Sequence, residues 1–112
     1  MFKRIAIEKL AGFDEKLTSF AIGCQKICDD STERRGYYHI TADQVAGSRY
    51  VRVLPVPLDQ GSRSVHCFVD KTNGDVLMAA GWKAPEKNPR GNIFAADNGL
   101  SRMGPFGAAY NK

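Results

Sequence analysis

Two β-prone runs joined by a turn occupy residues 64–80: Ser64-Val-His-Cys-Phe-Val69, then Asp70-Lys-Thr-Asn-Gly-Asp75, then Val76-Leu-Met-Ala-Ala80. Asn73-Gly74 supplies the positive φ angles that a tight connection between antiparallel strands requires. This is the strongest local signal in the sequence. It predicts a β-hairpin, and the fold class is worked out from that element.

An amphipathic helix is predicted before the hairpin, because apolar residues between Phe2 and Cys28 recur at steps of three or four. Gly12 costs about 1 kcal/mol in a helix interior, and Asp14 is a reasonable N-cap. We therefore expect a short turn or helix first and a main helix from about Asp14 to Cys28. The apolar residues are Phe2, Ala6, Leu10, Phe13, Leu17, Phe20, Cys24 and Ile27.

Two further strands are predicted between helix and hairpin. One is the aromatic and β-branched run Tyr37-Tyr-His-Ile-Thr41, and the clearer one is Arg49-Tyr-Val-Arg-Val-Leu-Pro-Val-Pro57. Pro55 cannot donate a ladder hydrogen bond, so its strand either ends there or lies at an edge. The sequence thus predicts a small antiparallel sheet of 3–4 strands over about residues 37–81.

After Gly81 the periodicity stops. Residues 82–92 contain two prolines and a glycine, which predicts a basic loop, and residues 93–112 are expected to form an irregular Gly-rich tail. Apolar residues in that tail should hold it partly against the domain. The fold class is therefore α+β: one domain over residues 1–112, with a helical part at about 2–30 packed on the sheet.

Length and composition favour a single soluble domain. The chain has 112 residues, 43% of them hydrophobic and 25% charged, and it contains no long apolar run and no secretory core. Its three cysteines are an odd number without framework-like spacing, which favours reduced thiols in a cytoplasm. No membrane association is predicted.

No enzyme motif, metal site or cofactor is predicted. Cys24 and Cys28 share a helix face, and Cys67 or His66 could join them as zinc ligands, but buried small hydrophobes are the simpler interpretation. A nucleophilic pair of Cys67 or Cys28 with His39 would need an orienting group that sequence does not place. We therefore expect a protein that is not catalytic.

The segment after the hairpin is the best candidate for a binding surface. The formal net charge is +4, and residues 76–112 hold five basic and two acidic residues. Lysines and an arginine suit phosphate oxygens, and a tryptophan offers a stacking face. The candidate ligand-binding residues are Trp82, Lys83, Lys87, Arg90 and Asn92, and a secondary basic patch comprises Arg34, Arg35, Arg49 and Arg52. Each also has a structural use, since the tryptophan and prolines could simply close the core.

Part of the chain resembles a family of small, uncharacterised proteins of tailed bacteriophages. The similar motifs are Phe68-Val-Asp-Lys-Thr-Asn-Gly-Asp-Val-Leu, Ala80-Gly-Trp-Lys-Ala-Pro and Arg90-Gly-Asn-Ile-Phe, and the resemblance covers roughly residues 50–99. It implies a phage accessory protein in the cytoplasm of an infected bacterium. It implies no activity and no catalytic residues.

Two hypotheses follow for function. The leading one is a binding protein for nucleic acid or a small anionic nucleotide, such as a host defence signal, through the aromatic and basic surface. The alternative is a virion-associated or host-protein-binding protein. Such a protein would assemble, with identical copies or a host partner, through its sheet edge and C-terminal tail.

Overall fold

The computed structural model describes residues 10–30, 39–45, 47–56, 65–82, 84–104 and 107–108. Arg34, Arg35, Lys83 and the predicted helical part before Leu10 lie outside these residues. The elements in chain order are α1 (Phe13–Asp30), β1 (His39–Gln44), β2 (Tyr50–Val56), β3 (Cys67–Asp70), β4 (Asp75–Ala79), β5 (Pro85–Asn92), β6 (Met103–Gly104) and β7 (Gly107–Ala108).

Helix α1 confirms the predicted main helix and extends it by one or two residues at each end. Gly12, with φ +78°, precedes it and accepts a hydrogen bond from the Lys16 amide. Two acidic residues in the first turn, Asp14 and Glu15, are favourable near the positive end of the helix dipole. The buried positions recur every four or seven residues and are Phe13, Phe20, Cys24 and Cys28. The first three belong to the predicted stripe, whereas Cys28 is buried in place of the predicted Ile27, which is half-buried, and Leu10 is exposed.

The main sheet is antiparallel, with five strands in the order β1-β2-β3-β4-β5. The fold class is therefore α+β as predicted, with five strands instead of 3–4. The predicted hairpin is confirmed as β3 and β4, where Phe68 pairs with Leu77 and Val69 with Val76. Gly74 has φ +85°, the left-handed conformation predicted for the turn, whereas Asn73 does not share the positive φ that the sequence predicts for both residues.

Side chains alternate between the two faces of the sheet. The helix-facing side chains, Val51, Val53, Cys67, Val69 and Val76, form the core with the buried stripe of α1. On the opposite face Phe68 is also fully buried, and the Tyr50 ring meets it edge-on at a centroid distance of 6.3 Å. Both faces of the central strands are therefore covered.

The predicted basic loop is wrong for most of its length, because Pro85–Asn92 form strand β5. Two prolines are compatible with this strand since it lies at the edge of the sheet, where an amide facing outward has no ladder partner to lose. Its register with β4 shifts twice, between Val76 and Leu77 and between Leu77 and Ala79. Because of these shifts, apolar and polar residues do not alternate regularly along β5, and the sequence pattern does not indicate a strand.

Pro55 behaves differently from either expectation. Its strand β2 neither ends there nor lies at an edge, because β1 and β3 flank it. The pairing of β2 with β3 runs only from Tyr50 to Val53, so Pro55 lies beyond that ladder and faces Ile40 of β1 alone. A proline is tolerated at such a position because it removes no inter-strand bond.

The predicted irregular tail is more ordered than expected. Turns follow β5, and Met103–Gly104 then pair with Gly107–Ala108 in a two-stranded sheet. Ile93 is fully buried, and Phe94, Leu100 and Met103 pack against the core, as expected of apolar residues that hold the segment to the domain. Residues 105, 106 and 109–112, including Phe106 and Tyr110, lie outside the described part.

Candidate functional site

Arg90, a predicted surface ligand, is a buried structural residue. It is 3% exposed, and its guanidinium donates to the Asn88 carbonyl, to Glu86 Oε1 at 3.1 Å and towards Met78 Sδ at 3.7 Å. A buried arginine is stable only when a carboxylate and further acceptors replace its water. The guanidinium nitrogens of Arg90, which could otherwise bind phosphate oxygens, therefore form hydrogen bonds within the protein.

Asn92 is also engaged internally. Its side-chain amide donates to the Asn73 carbonyl at 2.8 Å and to Asp75 Oδ1 at 3.1 Å, and its Oδ1 accepts from the Phe94 amide at 2.8 Å. These bonds connect the end of β5 to the hairpin turn. Asn92 therefore stabilises the turn.

The Trp82 ring forms a cation–π contact with Arg52. The Arg52 guanidinium lies 4.1 Å from the ring centroid, and Arg52 Nη1 donates to the Trp82 carbonyl at 2.9 Å. The same guanidinium forms a two-pronged pair with Asp43, at 3.0 and 2.8 Å. One residue of the predicted secondary patch thus stacks on the predicted aromatic platform, and its charge is balanced at β1.

Lys87 and Arg49 are the two predicted basic residues that the structure brings to one cavity. Lys87 is exposed on β5, and Arg49 lies at the start of β2. The cavity, of about 480 Å³, lies against the sheet face opposite α1. Nine residues line it, all of them polar or charged except Leu77 and Pro85: Arg49, Tyr50, Asp70, Asn73, Asp75, Leu77, Pro85, Glu86 and Lys87.

Asp70 fixes the position of Arg49. The Asp70 side chain is 2% exposed and accepts Arg49 Nε at 2.9 Å, while its other oxygen accepts the Thr72 amide at 2.9 Å and the Thr72 hydroxyl at 2.6 Å. Arg49 also lies 5.4 Å from the centroid of the Tyr50 ring. Hydrogen bonding to Tyr50 and the charge of Asp70 raise the pKa of Arg49, so the guanidinium stays charged.

Three arginines in the described part of the protein, Arg49, Arg52 and Arg90, form ion pairs with nearby carboxylates. The described residues contain eight Lys and Arg and nine Asp and Glu. The remaining residues contain eight Lys and Arg and three Asp and Glu, so they hold the positive excess of the chain. Most of the basic side chains discussed above lie beside an acidic one.

The cysteines are buried, as the simpler interpretation predicts. Cys24, Cys28 and Cys67 are each 0% exposed and carry free thiols. Burial, with a smaller effect of Cys28, raises the pKa of Cys24 to about 12, and burial raises that of Cys67. These groups are thiols at neutral pH, and thiolate is the form that attacks or binds metal.

Two further constellations, a metal-binding group and the Cys67–His39 pair, are not assembled among the described residues. Among the described side chains no group of three His, Cys, Asp or Glu is placed to hold a metal ion. Cys67 faces α1, whereas His39 lies two strands away on β1 and, by alternation with Ile40, on the other face. The hypothetical Cys67–His39 pair is therefore wrong. Within the described ranges, no helix is long and apolar enough to cross a membrane.

These features define a small α+β domain, one helix on a five-stranded antiparallel sheet, with a ligand-sized cavity on the sheet face opposite α1. A family model matches residues 8–104, and the chain belongs to that family, DUF7717, a family of unknown function. Neither a curated protein nor a solved structure matches the chain.

Sequence reasoning missed the acidic and aromatic members of the cavity. Asp70 and Asp75 were interpreted as residues flanking a turn, and Tyr50 as part of a strand pattern. The spacing Asp70-x-Thr72 is a signal for a side-chain-to-backbone turn, which the structure contains. No local signal connects Asp70 to Arg49, because their proximity depends on the register of β2 against β3.

Proposed function

We propose that this protein is a non-catalytic binding protein for a small anionic nucleotide, held in the cavity beside Arg49 and Lys87. The observation that carries the proposal is the Arg49–Asp70 pair, in which a buried carboxylate holds an exposed guanidinium by its Nε atom. The terminal nitrogens of such a guanidinium are the ones suited to phosphate oxygens. Lys87 supplies a second charge to the same cavity.

A small nucleotide fits the lining better than nucleic acid does. The cavity volume, about 480 Å³, lies within the range of small-molecule sites. Asp75 and Glu86 line it beside the basic groups, and carboxylates accept hydrogen bonds from sugar hydroxyls and base amino groups. A polynucleotide would instead favour a surface without these acidic groups.

The biological setting of this proposal comes from the resemblance of residues 50–99 to phage proteins. In that setting the protein is a phage accessory protein in the cytoplasm of the infected host, and the nucleotide is a host signal. Mass spectrometry of small molecules that co-purify with the protein would identify the ligand directly. A bound nucleotide of defined structure is the expected result.

Calorimetry with a panel of nucleoside mono-, di- and triphosphates and cyclic nucleotides tests the proposal. Lys87→Ala should weaken binding by about tenfold, because one charge-assisted contact is lost. Lys16→Ala, on the exposed side of α1, is the matched control and should change nothing. Weak dependence on salt is expected for a nucleotide and steep dependence for nucleic acid.

Arg49→Gln tests the pre-positioned guanidinium and should also weaken binding by about tenfold. Thermal unfolding of the same variant establishes that the protein analysed is folded, because the change leaves Asp70 without its cation. The proposal is wrong if the wild type binds no member of the panel, or if the double variant of Arg49 and Lys87 binds as tightly as the wild type.

A further inference from the structure

We propose that the outer edge of β1 pairs with β1 of a second copy of this chain. The two strands would run antiparallel across a two-fold axis at Ala42 and join two five-stranded sheets into one. This interface lies at the opposite end of the sheet from β5. It is independent of the nucleotide site, so either proposal can fail without the other.

The hydrogen-bond pattern shows which groups of β1 face outward. Val45 donates to the Tyr50 carbonyl, which belongs to the β1–β2 ladder, whereas the Ile40 amide donates to Gln25 Oε1 at 2.7 Å and not to β2. Bonded and non-bonded residues alternate in an antiparallel pair. The amides and carbonyls of Ala42 and Gln44 therefore point away from β2.

The two edges of the sheet differ in how they are protected. Strand β5 contains Pro85 and Pro89 and two register shifts, all of which disfavour pairing with another strand. Strand β1 is six residues long, pairs in continuous register with β2 and contains no proline or lysine. Pairing through β1 alone uses one edge from each copy, so the assembly closes as a dimer and does not extend into a fibre.

The two-fold register follows from the backbone groups of β1 that point away from β2. With Ala42 on the axis, the two Ala42 residues exchange both of their backbone bonds, and each Gln44 amide meets the Ile40 carbonyl of the second copy. Because Gln25 Oε1 already accepts the Ile40 amide, that amide makes no bond to the Gln44 carbonyl of the second copy, and the paired stretch ends there. Asp43 then faces Thr41 of the second copy, whereas an axis at Asp43 would oppose two like charges.

An apolar groove beside β1 supplies the packing surface. Its volume is about 310 Å³, and it lies between α1 and β1. Ile22 is 65% exposed at this groove, so it offers apolar surface that a second copy can bury. The small Ala21 and Ala42 leave room there, so two copies related by the axis bring their helices together over the joined strands. The lining residues are Leu17, Thr18, Ala21, Ile22, Gln25, Ile40 and Ala42.

Sedimentation velocity over a range of protein concentrations tests the inference. The wild type should form a dimer, and Ala42→Pro should raise the dimer dissociation constant at least about tenfold by removing two reciprocal bonds. The Ala42 nitrogen faces away from β2, so this proline breaks no bond within the sheet. Ile22→Lys should have a similar effect, whereas Val56→Lys, at a 42% exposed apolar residue outside the groove, should not.

Amide hydrogen exchange on the wild type gives a second readout that needs no variant. The Ala42 and Gln44 amides should exchange at least about tenfold more slowly in the dimer than in dilute monomer. The Thr41 and Asp43 amides face β2 and should be equally protected in both. A strict monomer at all concentrations overturns the inference. The inference is also overturned if the protein dimerises, neither Ala42→Pro nor Ile22→Lys weakens the dimer, and the Ala42 and Gln44 amides exchange as fast in the dimer as in the monomer.

Discussion

Arg49 and Asp70 form an ion pair in which the two partners have opposite exposure. The Arg49 side chain is 53% exposed and that of Asp70 is 2% exposed, and Nε and Oδ2 lie 2.9 Å apart. The carboxylate therefore depends on the fold for its hydrogen bonds, whereas the guanidinium remains accessible to a ligand. The Asp70 carboxylate bonds Thr72 in the hairpin turn and Arg49 at the cavity, so one side chain contributes both to the stability of the turn and to the position of Arg49.

Loss of the Asp70 carboxylate should destabilise the protein. Asp70→Ala removes the acceptor for Arg49 and for two groups of Thr72, and we expect the free energy of unfolding to fall by about 2–4 kcal/mol in urea titrations. Asp30→Ala is the control, because its pair with Lys26 is exposed and should contribute no more than about 0.5 kcal/mol. Equal effects of the two changes would contradict this account.

Alanine substitutions at Arg90 and Lys87 should have opposite effects, the first on the free energy of unfolding and the second on nucleotide affinity. Arg90→Ala empties a buried position and leaves Glu86 without its cation, so we expect a loss of about 2–4 kcal/mol in unfolding free energy. Nucleotide affinity of the folded variant should be unchanged. Lys87→Ala should give the reverse pattern, and a folded Arg90→Ala protein with lost affinity would show that Arg90 contacts the ligand.

Gly74 should be less replaceable than Gly47, although both have positive φ. A Cβ at Gly74 would lie 2.5 Å from the Phe94 ring and 2.9 Å from Asn92 Oδ1, whereas nothing lies within 4 Å of one at Gly47. Gly47→Ala should cost about 1 kcal/mol from backbone strain, and Gly74→Ala about 1–3 kcal/mol more from overpacking. Thermal unfolding of both variants measures the difference, and similar melting temperatures would refute it.

The effect of a substitution at Gly23 on stability should depend on the side chain at position 100, which is Leu100. Alanine favours a helix over glycine by about 1 kcal/mol, but a Cβ at Gly23 would lie 2.3 Å from Leu100 Cδ1. Gly23→Ala should therefore destabilise the wild type and stabilise a Leu100→Ala background. A double-mutant cycle in urea measures the coupling, and additive effects would mean that Leu100 moves aside without cost.

Stability should decrease at alkaline pH because of Cys24. Its pKa rises from 9.0 to about 12 on folding, so above pH 9 the unfolded chain loses a proton that the folded protein retains. The stability from this group is full below pH 9 and is lost as pH rises towards 12. Urea midpoints at about pH 8 and about pH 10 should differ more for the wild type than for Cys24→Ala, and identical differences would disprove the assignment.

The sequence alone was sufficient where local chemistry decides the structure. Gly74 requires a left-handed turn, and the spacing of Phe13, Phe20 and Cys24 requires one buried helix face, so the ends of α1 agree with the prediction within two residues and those of the hairpin strands within three. The α+β class follows from these elements because each has an apolar face to bury. Local patterns are short-range, and these elements depend on short-range interactions.

The tertiary structure decided what the charged residues are used for. Arg49 meets Asp70 through the register of β2 on β3, Arg52 meets Trp82 across 30 residues of chain, and Arg90 is buried because β5 joins the sheet despite its prolines. Such pairings depend on contacts between distant segments, which a sequence pattern of period two or 3.6 does not encode. The same physical reason explains why Lys87 and Arg49, from separate predicted patches, line one cavity.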